Sequence, residues 1–369
     1  MLLPGGITRS FSYDNRMRIQ AITAKKPDAS PIQAYGYTYD GTNNITQKAT
    51  EHGHYDDNYD QRQRLTQATD PQTPATPEGW TYDPNGNRTS DNRKPGPWTY
   101  DDNGRLLQSP LADYQYDNYG NLIEETKTGG QTLHYTYNAE NRLAEIQDLT
   151  DPQTPTLIAR YVYDPMGRRI AKTLPDAQNP GQTTTRYFHY TQEGLSGEYD
   201  PTGQAIQRYG YRPDGTWTTD PVYTITEQGT AFYHTDHLGT PQQLTDLANE
   251  IVWQGRATAF GETSETIVNF AQPLRFAGQY EDQETGRYYN YARYYDPQVG
   301  RYITSDPIGL EGGINTYSYV VNNPITRYDP DGLKTCGTGW NEPIVPDNPL
   351  GFPFSGCWGV PTQKWTPVG

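Results

Sequence analysis

Cysteine is nearly absent from this 369-residue chain: there are two, Cys336 and Cys357, both close to its C-terminal end. A disulfide framework therefore does not hold the bulk of the chain. The pair is read as a tail disulfide in an oxidising compartment or, more readily, as two free thiols. Hydrophobic residues make up only 33%, with 8 Phe and 3 Met, too little for an ordinary aliphatic core and low enough that disorder competes. Long apolar runs are missing too, and no stretch approaches a membrane-spanning helix. The opening Met1-Leu2-Leu3-Pro4-Gly5-Gly6 lacks the charged and apolar regions of a cleavable export signal, so export would need a separate secretion system. Positive charge is scarce: 29 Lys and Arg face 44 Asp and Glu, a net charge of −15. That argues against nucleic acid as a partner, since phosphates demand clustered cations. Arg168-Arg169 and Lys25-Lys26 are isolated, solvated pairs. With 36 Gly and 30 Pro and no sustained helical period, long helices are not expected.

What the chain has is tyrosine, 32 of them, and the rings carry the burial that Leu and Val carry elsewhere. Tyr-Asp recurs at Tyr39-Asp40, Tyr82-Asp83, Tyr100-Asp101, Tyr116-Asp117, Tyr163-Asp164 and Tyr199-Asp200. Weaker copies stand at Tyr13-Asp14, Tyr59-Asp60 and Tyr137-Asn138. Most neighbouring copies lie about 16–26 residues apart, the signature of a repeat architecture. Leu133, Tyr135 and Tyr137 alternate with His134 and Thr136 before a polar turn, and Arg142-Leu143 begins a returning run. Strand, turn and strand make a β-hairpin. Asn85-Gly86 and Asn103-Gly104 supply positive φ, while the proline of Asp83-Pro84 and Asp164-Pro165 pre-sets the corner. The tyrosine is expected to face inward with its hydroxyl at a layer edge, and the Asp to organise the turn. One such unit buries too little alone, so successive units must stack.

Residues 1–228 read as the hairpin array. Two similarly worded loops, Thr69 to Pro74 and Thr150 to Pro155, look like exposed insertions without chemistry. From 229 to 333 the text changes: Phe232-Tyr233-His234-Thr235-Asp236-His237-Leu238-Gly239, then Arg287-Tyr288-Tyr289-Asn290-Tyr291, then Arg293-Tyr294-Tyr295-Asp296-Pro297. Gly300-Arg301-Tyr302-Ile303 introduces Asp306-Pro307-Ile308-Gly309-Leu310, and after 18 residues the pattern returns as Asp329-Pro330-Asp331-Gly332-Leu333. Residues 334–369 form a short tail rich in Pro, Gly and Trp.

This ordered set resembles the YD-repeat, or Rhs (rearrangement hotspot), family over roughly residues 10–333. Residues 229–333 are similar to the core domain of bacterial polymorphic toxins and of insecticidal toxin-complex C subunits. The resemblance implies an all-β shell of tandem hairpins around a C-terminal passenger, and self-cleavage between Leu333 and Lys334. Its partners would be that passenger and an upstream shell segment, secretion machinery or an immunity protein. By the same resemblance Asp306 and Asp329 are the paired carboxylates, with Asp331 an open substitute for the second. Two carboxylates sharing a proton can act as acid and base on a peptide bond. Arg301 is placed to orient a carboxylate or stabilise an oxyanion. Gly332 gives backbone access, and Leu333 an apolar anchor.

The bland alternative makes both pentads ordinary turns. His234 and His237 flank Asp236, but strand spacing sends them to opposite faces with no third ligand, so they read as structural. Gly312-Gly313 lacks the following Lys-Ser/Thr of a phosphate loop, and the Asp-rich turns lack the twelve-residue calcium pattern. No metal or cofactor is expected. The rival function is a non-catalytic surface module whose Tyr and Trp rings bind glycans or proteins, and the direction of those rings discriminates between the two.

Overall fold

The computed structural model describes residues 1–213 and 215–337. They form an all-β molecule. An eight-stranded sheet runs from Thr8–Tyr13 to Arg88–Asp91, and a sixteen-stranded sheet from Thr99–Tyr100 to Thr263–Val268. In both, each strand pairs antiparallel with its sequence neighbour. The ladder breaks between Asp91 and Thr99, where Pro95 and Pro97 offer no backbone donors. It does not break at 228: Thr226 pairs with Gly229, and the meander continues to Val268.

The hairpins that carry the Tyr-Asp pair repeat one turn. Asp40 Oδ1 accepts the N–H groups of Thr42 and Asn44 at 2.8 and 2.9 Å, and its Oδ2 accepts Asn44 Nδ2 at 2.9 Å. Asp164 does the same with Met166, Arg168 and the Arg168 Nε at 2.6 Å. The fourth residue alone takes positive φ, +84° at Gly86 and +79° at Gly167. The register slips by one at the tyrosine, as between Val162 and Tyr163. This is a turn with a left-handed closing residue and a bulge, a form that tightens local twist.

Tyrosine outnumbers phenylalanine because each repeat is sewn to the previous one. Tyr39, Tyr59, Tyr82, Tyr137 and Tyr163 donate their hydroxyls to the carbonyls of Ile19, Ile45, Leu65, Leu122 and Leu143 at 2.7–2.9 Å. Each acceptor begins the returning strand of the hairpin before. Tyr100 reaches Arg88 O at 2.8 Å, bridging the break between the sheets. Tyr137→Phe keeps the ring but strands the Leu122 carbonyl. It is expected to cost about 1–2 kcal/mol, read as a lowered urea midpoint.

The ribbon curls until its last hairpins meet its first. Arg9 and Gln33 donate to Thr235 O at 2.7 and 3.0 Å, Gln243 to Glu51 at 2.7 Å, and Arg256 pairs with Asp70 at 2.6 Å. The first of the two similarly worded loops is thus a brace, whereas the second, around Asp151–Pro155, is exposed.

After Val268 the chain turns inward. Tyr280–Asp282, Arg287–Asn290, Arg293–Asp296 and Arg301–Tyr302 make a four-stranded sheet whose Tyr280, Tyr289 and Tyr294 join the inner face of the large sheet. Buried charge fixes its position. Asp282 accepts from Arg169 and from Lys172 (2.8 Å), Arg287 meets Glu125 at 2.7 Å, and Tyr280 donates to Glu198 at 2.9 Å. The following segment lies on the hairpin turns: Asn315 donates to Asn87 Oδ1, Tyr317 to Gly120 O, Asn322 to Gly86 O and Asn323 to Asn44 Oδ1, all at 2.8–2.9 Å. The repeat turns are therefore the platform that holds both pentads.

Candidate active site

Both pentads are the hairpin turn again, with one change. Asp306 accepts the Ile308 N–H at 3.0 Å and Gly309 takes φ +61°; Asp329 accepts the Leu333 N–H at 3.1 Å and Gly332 takes +69°. In the ordinary repeats Asp40, Asp60, Asp83, Asp117 and Asp164, the residue four places on is Asn or Arg, and its side chain occupies the second carboxylate oxygen. In the pentads that residue is leucine, so Oδ2 is left for other partners.

Those partners converge. Arg293 Nη2 lies 2.9 Å from Asp306 Oδ2 and 3.4 Å from Asp329 Oδ2, and its guanidinium sits 3.7 Å over the Tyr302 ring. Tyr302 donates to Asp329 Oδ2 at 2.8 Å and accepts from Asn290 Nδ2 at 2.8 Å. Arg293 Nε also donates to Gly332 O, and Asn290 Nδ2 to Asp329 O at 2.9 Å. The Leu333 N–H is shared between Asp329 Oδ1 and Asp331 Oδ1, the latter at 3.2 Å. A Cβ on Gly312 would stand 2.2 Å from Asp306 Oδ2 and 3.0 Å from Leu333 O, so carboxylate and carbonyl converge on one point. Leu333 is buried and Lys334 half-buried. The chain then doubles back, pairing Cys336 with Tyr328.

Burial pushes the Asp306 carboxyl up to about 6, against the pull of Arg293. It raises Asp329 as well, opposed by Arg293, Tyr302 and the Leu333 N–H. Asp331 is raised well above the usual carboxylate range, first by burial and then by the charge of Asp329 beside it. Of the pair, Asp331 is therefore the member that holds a shared proton more strongly.

Asp306, Asp329, Asp331, Leu333 and Lys334 are thus brought into one corner. Arg301 is not. In the strand Arg301–Tyr302 adjacent side chains face opposite ways, and Tyr302 turns toward Asp329. Arg301 therefore points away from the acids and is buried against the hairpin turns, 5.0 Å from the Tyr100 and Tyr317 rings, where it donates to Gly104 O. Arg293 holds the carboxylates instead, and with Tyr302 it is what sequence reasoning missed. The available signal was leucine at the fifth pentad position, which leaves each Asp an oxygen needing a donor.

His234 is fully buried with Nε2 2.9 Å from Thr245 Oγ1, and burial lowers it to about 3; His237 Nε2 lies 2.8 Å from Ile325 O. Both serve packing. Cys336 is disulfide-bonded, not the free thiol the sequence favoured; Cys357 and the rest of the tail lie outside the described residues. Its sulfur belongs to a buried cluster with Leu238, Ala277 and Tyr328, on which the returning strand seats it.

A family model described as Teneurin YD-shell matches residues 5–325. The "Double-stranded DNA deaminase toxin A" of Burkholderia cenocepacia is 34% identical over 80% of this chain and 22% of its own length. The "Probable deoxyribonuclease RhsB" of Dickeya dadantii is 32% identical over 84% of this chain and 21% of its own. "Toxin protein Tse5" of Pseudomonas aeruginosa is 36% identical over 60% and 18%. This chain thus spans about a fifth of the length of these relatives. Among solved structures, that of TcdB2-TccC3-TEV overlays with a TM-score of 0.69 at 21% identity, covering 89% of this chain and 18% of that one.

Proposed function

Because this chain belongs to the YD-shell family, we propose that it is a carrier-shell segment of an Rhs-type bacterial toxin that hydrolyses its own Leu333–Lys334 bond. What supports the reading is the Leu333 peptide, its N–H held by Asp329 and Asp331 and its carbonyl oxygen bordering the same space beside Gly312 as Asp306 Oδ2. Residues 334–369 belong to the passenger. The rest of the shell comes from an upstream segment, and export and immunity from separate proteins. Ring direction favours shell over adhesion module: Tyr135, Tyr233, Tyr295 and Tyr302 are at most 1% exposed, packed between layers. Among the described residues no helix is long and apolar enough to cross a membrane.

The chemistry follows from the protonation states. Anionic Asp329 takes a proton from water as the water oxygen bonds to the Leu333 carbonyl carbon. Asp306 gives its proton to the carbonyl oxygen. Collapse breaks the bond to the Lys334 nitrogen, which takes the proton held by Asp329, while a hydroxyl of the tetrahedral carbon returns a proton to Asp306; Leu333 is left as a carboxylic acid that ionises in water. Arg293 bridges the two carboxylates through one nitrogen and so holds both at the scissile peptide. The reaction is intramolecular and single-turnover, so positioning supplies much of the rate.

Since Asp306 acts in its protonated form, cleavage slows as pH rises through about 6. A chain refolded at pH 7.5 is expected to cut on the order of tenfold more slowly than at pH 5.5. N-terminal sequencing of the smaller product tests the site: it should begin Lys334-Thr335-Cys336. Any other start, or no second chain, overturns the proposal.

A further inference from the structure

The loop between the pentads carries an inference that rests on this hydrolytic reading and extends it. Its neck is closed by the Asp306 N–H to Thr316 O at 3.0 Å and Ser305 Oγ to Thr316 Oγ1 at 2.9 Å, with Arg293 Nη1 also donating to Thr316 O at 2.9 Å. Its outer side is apolar and open to solvent, Leu310 at 75% and Ile314 at 85% exposed. Between these two, Gly312 folds inward against the site. It lies in a short 3-10 turn, Gly309–Gly312, and unlike Gly309 and Gly313 it does not take a positive φ. The backbone there does not demand glycine. Space does: an added Cβ would fall 2.2 Å from Asp306 Oδ2, 2.9 Å from its Cγ and 3.0 Å from Leu333 O.

We infer that Gly312 is a positioning residue for the reaction: its missing side chain leaves the room in which the Asp306 proton reaches the Leu333 carbonyl oxygen. The site-facing wall of that space is the Gly312 backbone. The walls opposite are the scissile carbonyl and a carboxylate already fixed by Arg293 and the Ile308 N–H. A methyl group there must push one oxygen away from the other, and a shift of about 1 Å is enough to cost on the order of a hundredfold in rate.

The test is Gly312→Ala in the full chain beside wild type and Gly313→Ala, followed by denaturing gel and mass over time at pH 5.5 and 7.5. Gly313 lies next along the same loop with nothing within 4 Å of an added Cβ and with φ +139°, so it reports strain of the loop without blocking the space. The expected result is a Gly312→Ala chain that still melts cooperatively, cutting about a hundredfold more slowly and having lost the pH dependence that Asp306 imposes. Gly313→Ala should cut at close to the wild-type rate and keep that dependence. Wild-type cleavage with equal cleavage by Gly312→Ala overturns the inference, as does equal slowing by both variants. Absence of cleavage in wild type itself defeats the hydrolytic reading first.

Discussion

Asp306→Asn and Asp329→Asn are each expected to leave the purified chain intact, slowing cleavage by at least about a hundredfold. Asparagine keeps the shape and the acceptor oxygen for the Ile308 or Leu333 N–H, so the turns remain closed. What it removes is the proton of Asp306 or the basicity of Asp329. Stability should move the other way at position 306. Its folded pKa is raised to about 6, so its contribution to stability is full below the unfolded value near 3.8 and is lost as pH rises through 6. Above pH 6 the wild-type chain thus carries a buried anion at a cost, and Asp306→Asn relieves it. A variant that melts no lower than wild type at pH 7.5 yet does not cut separates chemistry from folding. Asp331→Asn is a milder case, since Asp331 is already neutral; it should retain measurable cleavage.

The second large effect lies away from the site. Asp282→Ala leaves Arg169 and Lys172 facing each other across a fully buried space, with only Glu284, 3.1 Å from Lys172, as a remaining anion. Removing one partner of a buried charge cluster costs about 3–5 kcal/mol, and the urea midpoint should fall accordingly. Arg169→Met combined with Asp282→Leu should recover part of that loss, because no guanidinium is then stranded. Asp282 is held below its ordinary value by Arg169 and Lys172 despite burial. Its contribution is therefore present above the unfolded value near 3.8 and disappears as pH falls through the folded one, opposite in sign to Asp306. Because this cluster ties the inner sheet to the large sheet, Asp282→Ala should also slow cleavage by loosening the strands that carry Arg293.

Much of this was legible in the sequence. Period-two tyrosines, Asp-led turns and their spacing gave hairpins, and the hydroxyls found acceptors one repeat back, at Ile19, Ile45 and Leu65. Three features were not legible. The inner sheet reads like more hairpins, since nothing local in Tyr280 to Tyr302 says which face of the large sheet it covers. That assignment depends on pairs such as Arg169–Asp282 and Glu125–Arg287, more than a hundred residues apart in the chain. Choosing among arginines failed for a related reason: Arg293 and Arg301 both precede tyrosines on short strands, and only the contact of Tyr302 with Asp329 decides which arginine faces the acids. The different surroundings of Asp329 and Asp331 were not legible either: both accept the same Leu333 N–H, but only Asp329 meets Arg293 and Tyr302.

The most direct measurement is the intact mass of folded protein incubated at pH 5.5 in water enriched with heavy oxygen. The expected spectrum shows a fragment ending at Leu333 that carries one heavy oxygen in its new carboxylate, together with an unlabelled partner beginning at Lys334. A single full-length mass from a chain with native circular dichroism and a cooperative melt would contradict the account.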